Sequence, residues 1–170
     1  MAQARKRRPS AIDLLKQDHR EVELLFKEFE QLHEQGEDAA TEPVMQTACN
    51  ELKIHDKLET EIFYPAIRAQ AGEEETDLLD EAEVEHDTVR SLIQKLDGMD
   101  ASDEKKHAHF TVLMEYVKHH VKEEEKEMFP KFRKMDIDFR ALGERMKERK
   151  AELMSEMGVE AEETEDEETT

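Results

Sequence analysis

The chain has 170 residues, 41% charged and 5% aromatic, with no Trp, five Gly, four Pro and a formal net charge of −20; this is the composition of one domain of long amphipathic helices with tails, not of a sheet protein. That charge excludes nucleic acid and anionic membranes as natural partners, because their phosphates would repel most of the surface. No run approaches the ~20 apolar residues of a membrane span, no apolar stretch follows the basic start as in a secretion signal, and the single Cys49 cannot form an internal disulfide, which suits a reducing cytoplasm.

Residues 1–9, with Arg5-Lys6-Arg7-Arg8, read as a disordered basic tail. A first helix starts at Ser10, an N-cap residue with Asp13 three positions on in a near-capping-box arrangement, and runs to about Leu32, before "EQGED". A second begins after Thr41 with Pro43 in its first turn and runs into the 60s, where Pro65 bends or ends it. A third follows "AGEEET", whose acidic residues suit a helix N-terminus, and ends near Gly98. A fourth begins at Ser102 and continues to about Phe132, with Pro130 the counterpart of Pro65. A shorter last helix covers roughly 137–157 and stops at Gly158; residues 158–170 form an acidic tail with almost nothing to bury. The expected fold is all-α: an up-down-up-down four-helix bundle over 10–133 and an additional C-terminal helix in 134–157. The apolar set of that last helix (Phe139, Leu142, Met146, Leu153) suits packing across the bundle, a protein partner or a second copy, and the sequence leaves these open.

Apolar residues at steps of three and four trace the buried stripe of each helix. The stripes are Ile12, Leu15, His19, Val22, Phe26, Phe29; then Ala48, Leu52, His55, Glu59, Ile62, Ala66; then Leu79, Ala82, His86, Val89, Ile93, Leu96; then Phe110, Leu113, Val117, His120, Glu124, Met128. Every stripe contains one histidine, and the second and fourth add a glutamate one turn later. An internal repeat underlies this: His19 and His86 are 67 residues apart, His55 and His120 are 65 apart, and Tyr64-Pro65 aligns with Phe129-Pro130. The chain reads as two helix hairpins related by a pseudo-twofold axis.

One buried histidine is usually a hydrogen-bonded core residue, and one glutamate in a stripe is usually a misdrawn stripe. Four histidines and two glutamates repeating by symmetry are hard to explain that way. Burying two uncompensated carboxylates costs on the order of several kcal/mol each, and cations between them would remove the cost. Four imidazoles and two carboxylates exceed the needs of one tetrahedral zinc. They suit two ions of intermediate softness, iron or manganese, with glutamates on opposite helices able to bridge them.

The segments "DHREVELLF", "HDKLETEIFYP", "DLLDEAEVEH" and "YVKHHVKEEEKEMFP" together resemble the hemerythrin-like, or HHE cation-binding, family over roughly residues 10–133. The resemblance implies a four-helix bundle holding an oxo- or hydroxo-bridged pair of non-haem irons. It implies His19, His55, His86 and His120 as terminal ligands and Glu59 and Glu124 as bridging carboxylates. The chain departs from the oxygen-carrying members in two places: Arg90 stands where they have a second histidine on the third helix, and Glu124, four after His120, replaces an Asp five after. With one imidazole fewer the pair should be more open. The implied role is therefore sensing or binding of dioxygen, nitric oxide or peroxide, or iron handling, rather than reversible oxygen carriage. The alternatives are a di-iron peroxidase or catalase-like enzyme, for which no acid or base outside the ligand set is evident, and a metal-free helical interaction module.

Around this set, His120 is preferred over His119 because it continues the stripe through Leu113 and Val117. Glu83 and Asp56 read as solvated flanking residues, and His33, His107 and His109 as surface residues. Tyr64 and Tyr116 read as ordinary packing with the option of a hydrogen bond to the site. Arg90, one turn after His86, suits pairing with a ligand carboxylate or guarding the pocket mouth.

Overall fold

The computed structural model describes residues 8–159, so the basic and acidic tails lie, but for residues 8, 9, 158 and 159, outside the described residues. These form helices α1 (Ala11–Glu34), α2 (Asp38–Leu58), α3 (Glu73–Asp97), α4 (Lys106–Glu123) and α5 (Phe139–Met157), with no strand among them. Two of the helices run on past a wider turn. α2 continues through a π-helical turn, Glu59–Phe63, into Tyr64–Arg68; α4 continues through a second, Glu124–Met128, into Phe129–Phe132. The architecture is the all-α bundle that the periodicity predicts, with a C-terminal helix added.

Local chemistry sets the helix ends. Ser10 accepts from the Asp13 N–H, and Asp13 accepts from the Ser10 N–H in return, closing both orphan donors. Gly36 takes a left-handed φ of 74° between α1 and α2, a conformation other residues reach only at a cost. α2 then begins at Asp38, earlier than the expected start after Thr41, so Pro43 falls inside the helix. Ala39 and Ala40, ahead of the proline, are strong helix formers. α4 begins at Lys106 rather than Ser102; Asp103 instead accepts from the Lys105 N–H in a turn.

Neither Pro65 nor Pro130 ends its helix. In each π-helical turn the closing N–H donates five residues back, Tyr64 to Glu59 and Phe129 to Glu124. The proline then enters at the start of a fresh α-helical segment, where a missing N–H is harmless. The extra residue also shifts the buried stripe by one: Phe63, Tyr64 and Ile67 are buried while the expected Ala66 is only partly so.

The apolar core has two clusters. One gathers Ile12, Leu15, Leu58, Ile62, Leu79 and Met128; the other gathers Val22, Phe26, Leu52, Ile93, Phe110 and Val117. In every helix the histidine of the stripe falls between the two. α5 joins the first cluster through Leu142, Met146 and Leu153, so it packs across its own bundle. Gly143 makes that approach possible, since a Cβ there would lie 2.9 Å from the Ala11 nitrogen and the Pro9 carbonyl oxygen. Cys49 is buried. No helix of the described residues is long and apolar enough to cross a membrane.

Candidate metal centre

All six residues expected at the site are buried and converge between the two apolar clusters, with Glu59 and Glu124 at 0% exposure. Glu59 lies between two imidazoles: its Oε1 is 3.1 Å from His55 Nε2 and its Oε2 is 3.2 Å from His86 Nε2. Glu124 Oε2 is 3.0 Å from His19 Nε2 and 3.6 Å from His120 Nε2. Two groups result whose ligand atoms lie within 4.8 Å of one another: His19, His55, Glu59 and Glu124 on one side, and Glu59, His86 and His120 on the other. Glu59 belongs to both.

Each imidazole is held from behind by a carboxylate on another helix. His55 Nδ1 donates to Asp18 at 3.1 Å, His86 Nδ1 to Asp56 at 2.6 Å, His120 Nδ1 to Glu85 at 2.6 Å, and His19 Nδ1 to Glu125 at 3.0 Å. The pattern is cyclic. α1 supplies the carboxylate for the histidine of α2, α2 for α3, α3 for α4, and the π-helical turn after α4 returns one to α1. In its neutral form a histidine whose Nδ1–H is committed in this way carries its lone pair on Nε2, aimed inward, and its ring orientation is fixed.

Two of these carboxylates are in turn held by cations. Arg90 donates to both oxygens of Asp56, and Lys150 of α5 reaches Asp18 at 2.6 Å. Burial pushes Asp56 up, but His86 and Arg90 outweigh it and hold its carboxyl below the usual range. Asp18 is lowered by the same balance, with His55 and Lys150 as the counter-charges. At the centre, burial pushes the imidazole of His86 down, while its bond to Asp56 and the charge of Glu59 raise it to about 10.

The site as a polar core would be incomplete. His19 Nε2, both oxygens of Glu59 and Oε2 of Glu124 are buried without a hydrogen bond; the short N···O approaches above lack the direction for one. His86 Nε2 and His120 Nε2 also face each other at 3.0 Å. Buried acceptors left unpaired cost on the order of 1–3 kcal/mol each. A donor set of imidazole nitrogens and carboxylate oxygens fits cations that would satisfy all of these atoms at once. Beside the set lies a cavity of about 40 Å³, walled by Val22, Leu52, Val89, Val117 and Val121.

Several flanking residues differ from expectation. Asp56 is not a solvated flank residue but the partner of His86, and Arg90 pairs with it rather than with a central carboxylate. Tyr64 is buried and donates to Glu124 Oε1 at 2.6 Å, with His86 Nε2 3.3 Å away, whereas Tyr116 is exposed. His119 is exposed and pairs with Glu123, leaving His120 inside. Glu83 is exposed beside Arg68. His107 is half-buried, not a free surface residue. Asp18, Glu85 and Glu125 were passed over. The signal was adjacency: each of Asp18, Asp56 and Glu85 neighbours a stripe histidine in the chain, and Glu125 neighbours Glu124, yet each serves a different helix.

A family model described as the hemerythrin HHE cation binding domain matches residues 10–132. No curated protein and no solved structure matches the chain.

Proposed function

The chain belongs to the hemerythrin HHE cation-binding family, and from that premise we propose that it is a non-haem di-iron protein that binds or senses dioxygen, nitric oxide or peroxide, or handles iron. The observation that carries this reading is the convergence of four Nε2 atoms on two fully buried carboxylates, of whose oxygens only Glu124 Oε1 has a hydrogen bond, from Tyr64. His19 and His55 would hold one iron, His86 and His120 the other, with Glu59 and Glu124 shared. Four imidazoles against two carboxylates favour iron over manganese, which prefers oxygen donors. Bound iron would supply a redox couple and open positions for a small ligand.

The protein residues decide what can reach those positions. The cavity of about 40 Å³ has room for a diatomic molecule or water and not for an organic substrate. Its walls away from the ligands are apolar, and Glu59 and Glu124 are at 0% exposure. Tyr64 holds a proton 2.6 Å from Glu124 and fixes that carboxylate's orientation. The lone cysteine and the absence of a membrane-spanning helix among the described residues are compatible with a cytoplasmic setting.

The test is anaerobic reconstitution with ferrous iron, a count of iron per chain, and absorption spectra as air enters, run beside the His55→Ala/Glu59→Ala double variant. Two irons per chain, with near-ultraviolet bands that appear on oxidation and vanish in the variant, are expected. Negligible iron in both proteins would overturn the reading and leave the histidines a structural role.

A further inference from the structure

We infer that His33, Asp38 and His107 form a second cation site, distinct from the central one, that takes a transition ion of borderline softness such as zinc. His33 lies in the last turn of α1, Asp38 opens α2 and His107 lies in the first turn of α4. His33 is fourteen residues beyond His19 on one helix, about 21 Å along its axis, so the two sites share no residue.

The three groups meet on one atom. His33 Nδ1 is 2.9 Å and His107 Nδ1 3.6 Å from the same oxygen, Oδ1 of Asp38, and the ligand atoms all lie within 4.8 Å of one another. Phe29, buried beneath, fixes both rings: it stacks on His33 at 10° and meets His107 edge-on at 77°.

Hydrogen-bond logic then assigns the lone pair. The hydroxyl of Thr41, fully buried, has a single proton, and its 2.6 Å contact with the Asp38 carbonyl takes it. At 2.8 Å from the Thr41 hydroxyl oxygen, His107 Nε2 must be the donor. A neutral His107 so anchored turns the lone pair of Nδ1 toward the Asp38 carboxylate, and two acceptors face each other. A cation between them removes the repulsion, and anchoring the far nitrogen is how ligand histidines are held. Asp38 at a helix N-terminus gains from the helix dipole in any case, but that role needs neither imidazole.

Two imidazoles and one carboxylate suit zinc with water in the fourth position, and not the all-oxygen shells of calcium or magnesium. His33 and Asp38 are 51% and 58% exposed, so the open position faces solvent. The ion would tie three segments together where α2 and α4 both lack a side-chain cap. Its role is a staple for that end of the bundle.

The experiment titrates zinc into the full chain, as isolated and after anaerobic iron loading, beside the His33→Gln/His107→Gln double variant and the Asp38→Asn variant. Zinc per chain is counted after gel filtration, and Tm is followed. These side chains are exposed or half-buried, so the variants should keep the circular dichroism of the parent. The parent should retain one zinc more than the double variant, bind it more weakly in Asp38→Asn, and gain a zinc-dependent rise in Tm that the double variant lacks. Equal zinc counts and equal Tm shifts in parent and double variant would overturn the proposal and leave a proton closing the pair. The comparison is a difference of one zinc, so it stands or falls separately from the iron count at the central site.

Discussion

Asp56 illustrates how much of the site's strength lies behind the ligands. Its Oδ1 accepts from His86 at 2.6 Å while Arg90 donates to both of its oxygens. Asp56→Asn keeps the shape but removes the charge that orients His86 and raises its basicity. Metal affinity should fall about 10–100-fold, with the fold intact by circular dichroism; an unchanged affinity in a competition assay would contradict the role. Glu83→Gln is the matching control, because Glu83 is exposed and pairs with Arg68 on the surface. Tyr64→Phe should keep the packing of the ring and free Glu124 Oε1. A shift in the absorption of the iron-loaded protein, and a loss of about 1–3 kcal/mol in urea unfolding of the metal-free protein, are the expected pair of results. His19 to His120 were legible because a polar residue in an apolar stripe stands out at once. Asp18, Asp56, Glu85 and Glu125 were not, because a carboxylate beside a stripe looks the same whether it faces water or the next helix's histidine.

At the scale of elements, the π-helical turns carry the site. Residues five apart diverge on an α-helix, but a π turn brings them to one side. That is why Glu59 and Tyr64 both point inward, and why Phe129, five after Glu124, lies parallel to the His19 ring at 6.0 Å. Phe129 is fully buried there, so Phe129→Ala should open a cavity beside the His19 ring. A loss of about 3–5 kcal/mol in urea unfolding is expected, the usual cost of removing a buried Phe. A loss under about 1 kcal/mol would show that the packing of Phe129 at this turn is not needed for the fold. The prolines marked both places in the sequence. They read as helix breakers because the missing N–H is visible in the sequence, whereas the wider turn that absorbs it depends on what each face must bury.

Across the whole molecule, protons and cations compete for the same nitrogens. Burial pushes the imidazoles of His55, His86 and His120 down, yet the carboxylates facing them outweigh it and raise all three, His86 to about 10. The metal-free fold therefore holds these protons more tightly than the unfolded chain, whose histidines titrate near ~6.5. That stabilisation is complete below about pH 6.5 and is lost as pH rises through the raised values. A cation needs the nitrogens bare, so its affinity climbs over the same interval. Ferrous iron added without oxygen should raise Tm little near about pH 6 and progressively more toward about pH 9; an increment that is flat with pH would refute the competition. α5 enters the same balance through Lys150 and Asp18. Lys150→Met should weaken metal binding less than Asp56→Asn does, since Asp18 keeps its bond to His55.

The sequence by itself determined the helices, the two hairpins and the six inward polar residues, because the 3.6-residue period of apolar side chains and the histidines that interrupt it are local properties of the chain. It also carried the strongly acidic charge balance and the motifs that mark the family. Only the tertiary structure decided where the flanking carboxylates act, which nitrogen of each histidine faces inward, how α5 seats on the bundle at Gly143, and that His33, Asp38 and His107 meet. Each of these depends on the distance between residues on different helices, and that distance is set by packing after the helices have formed.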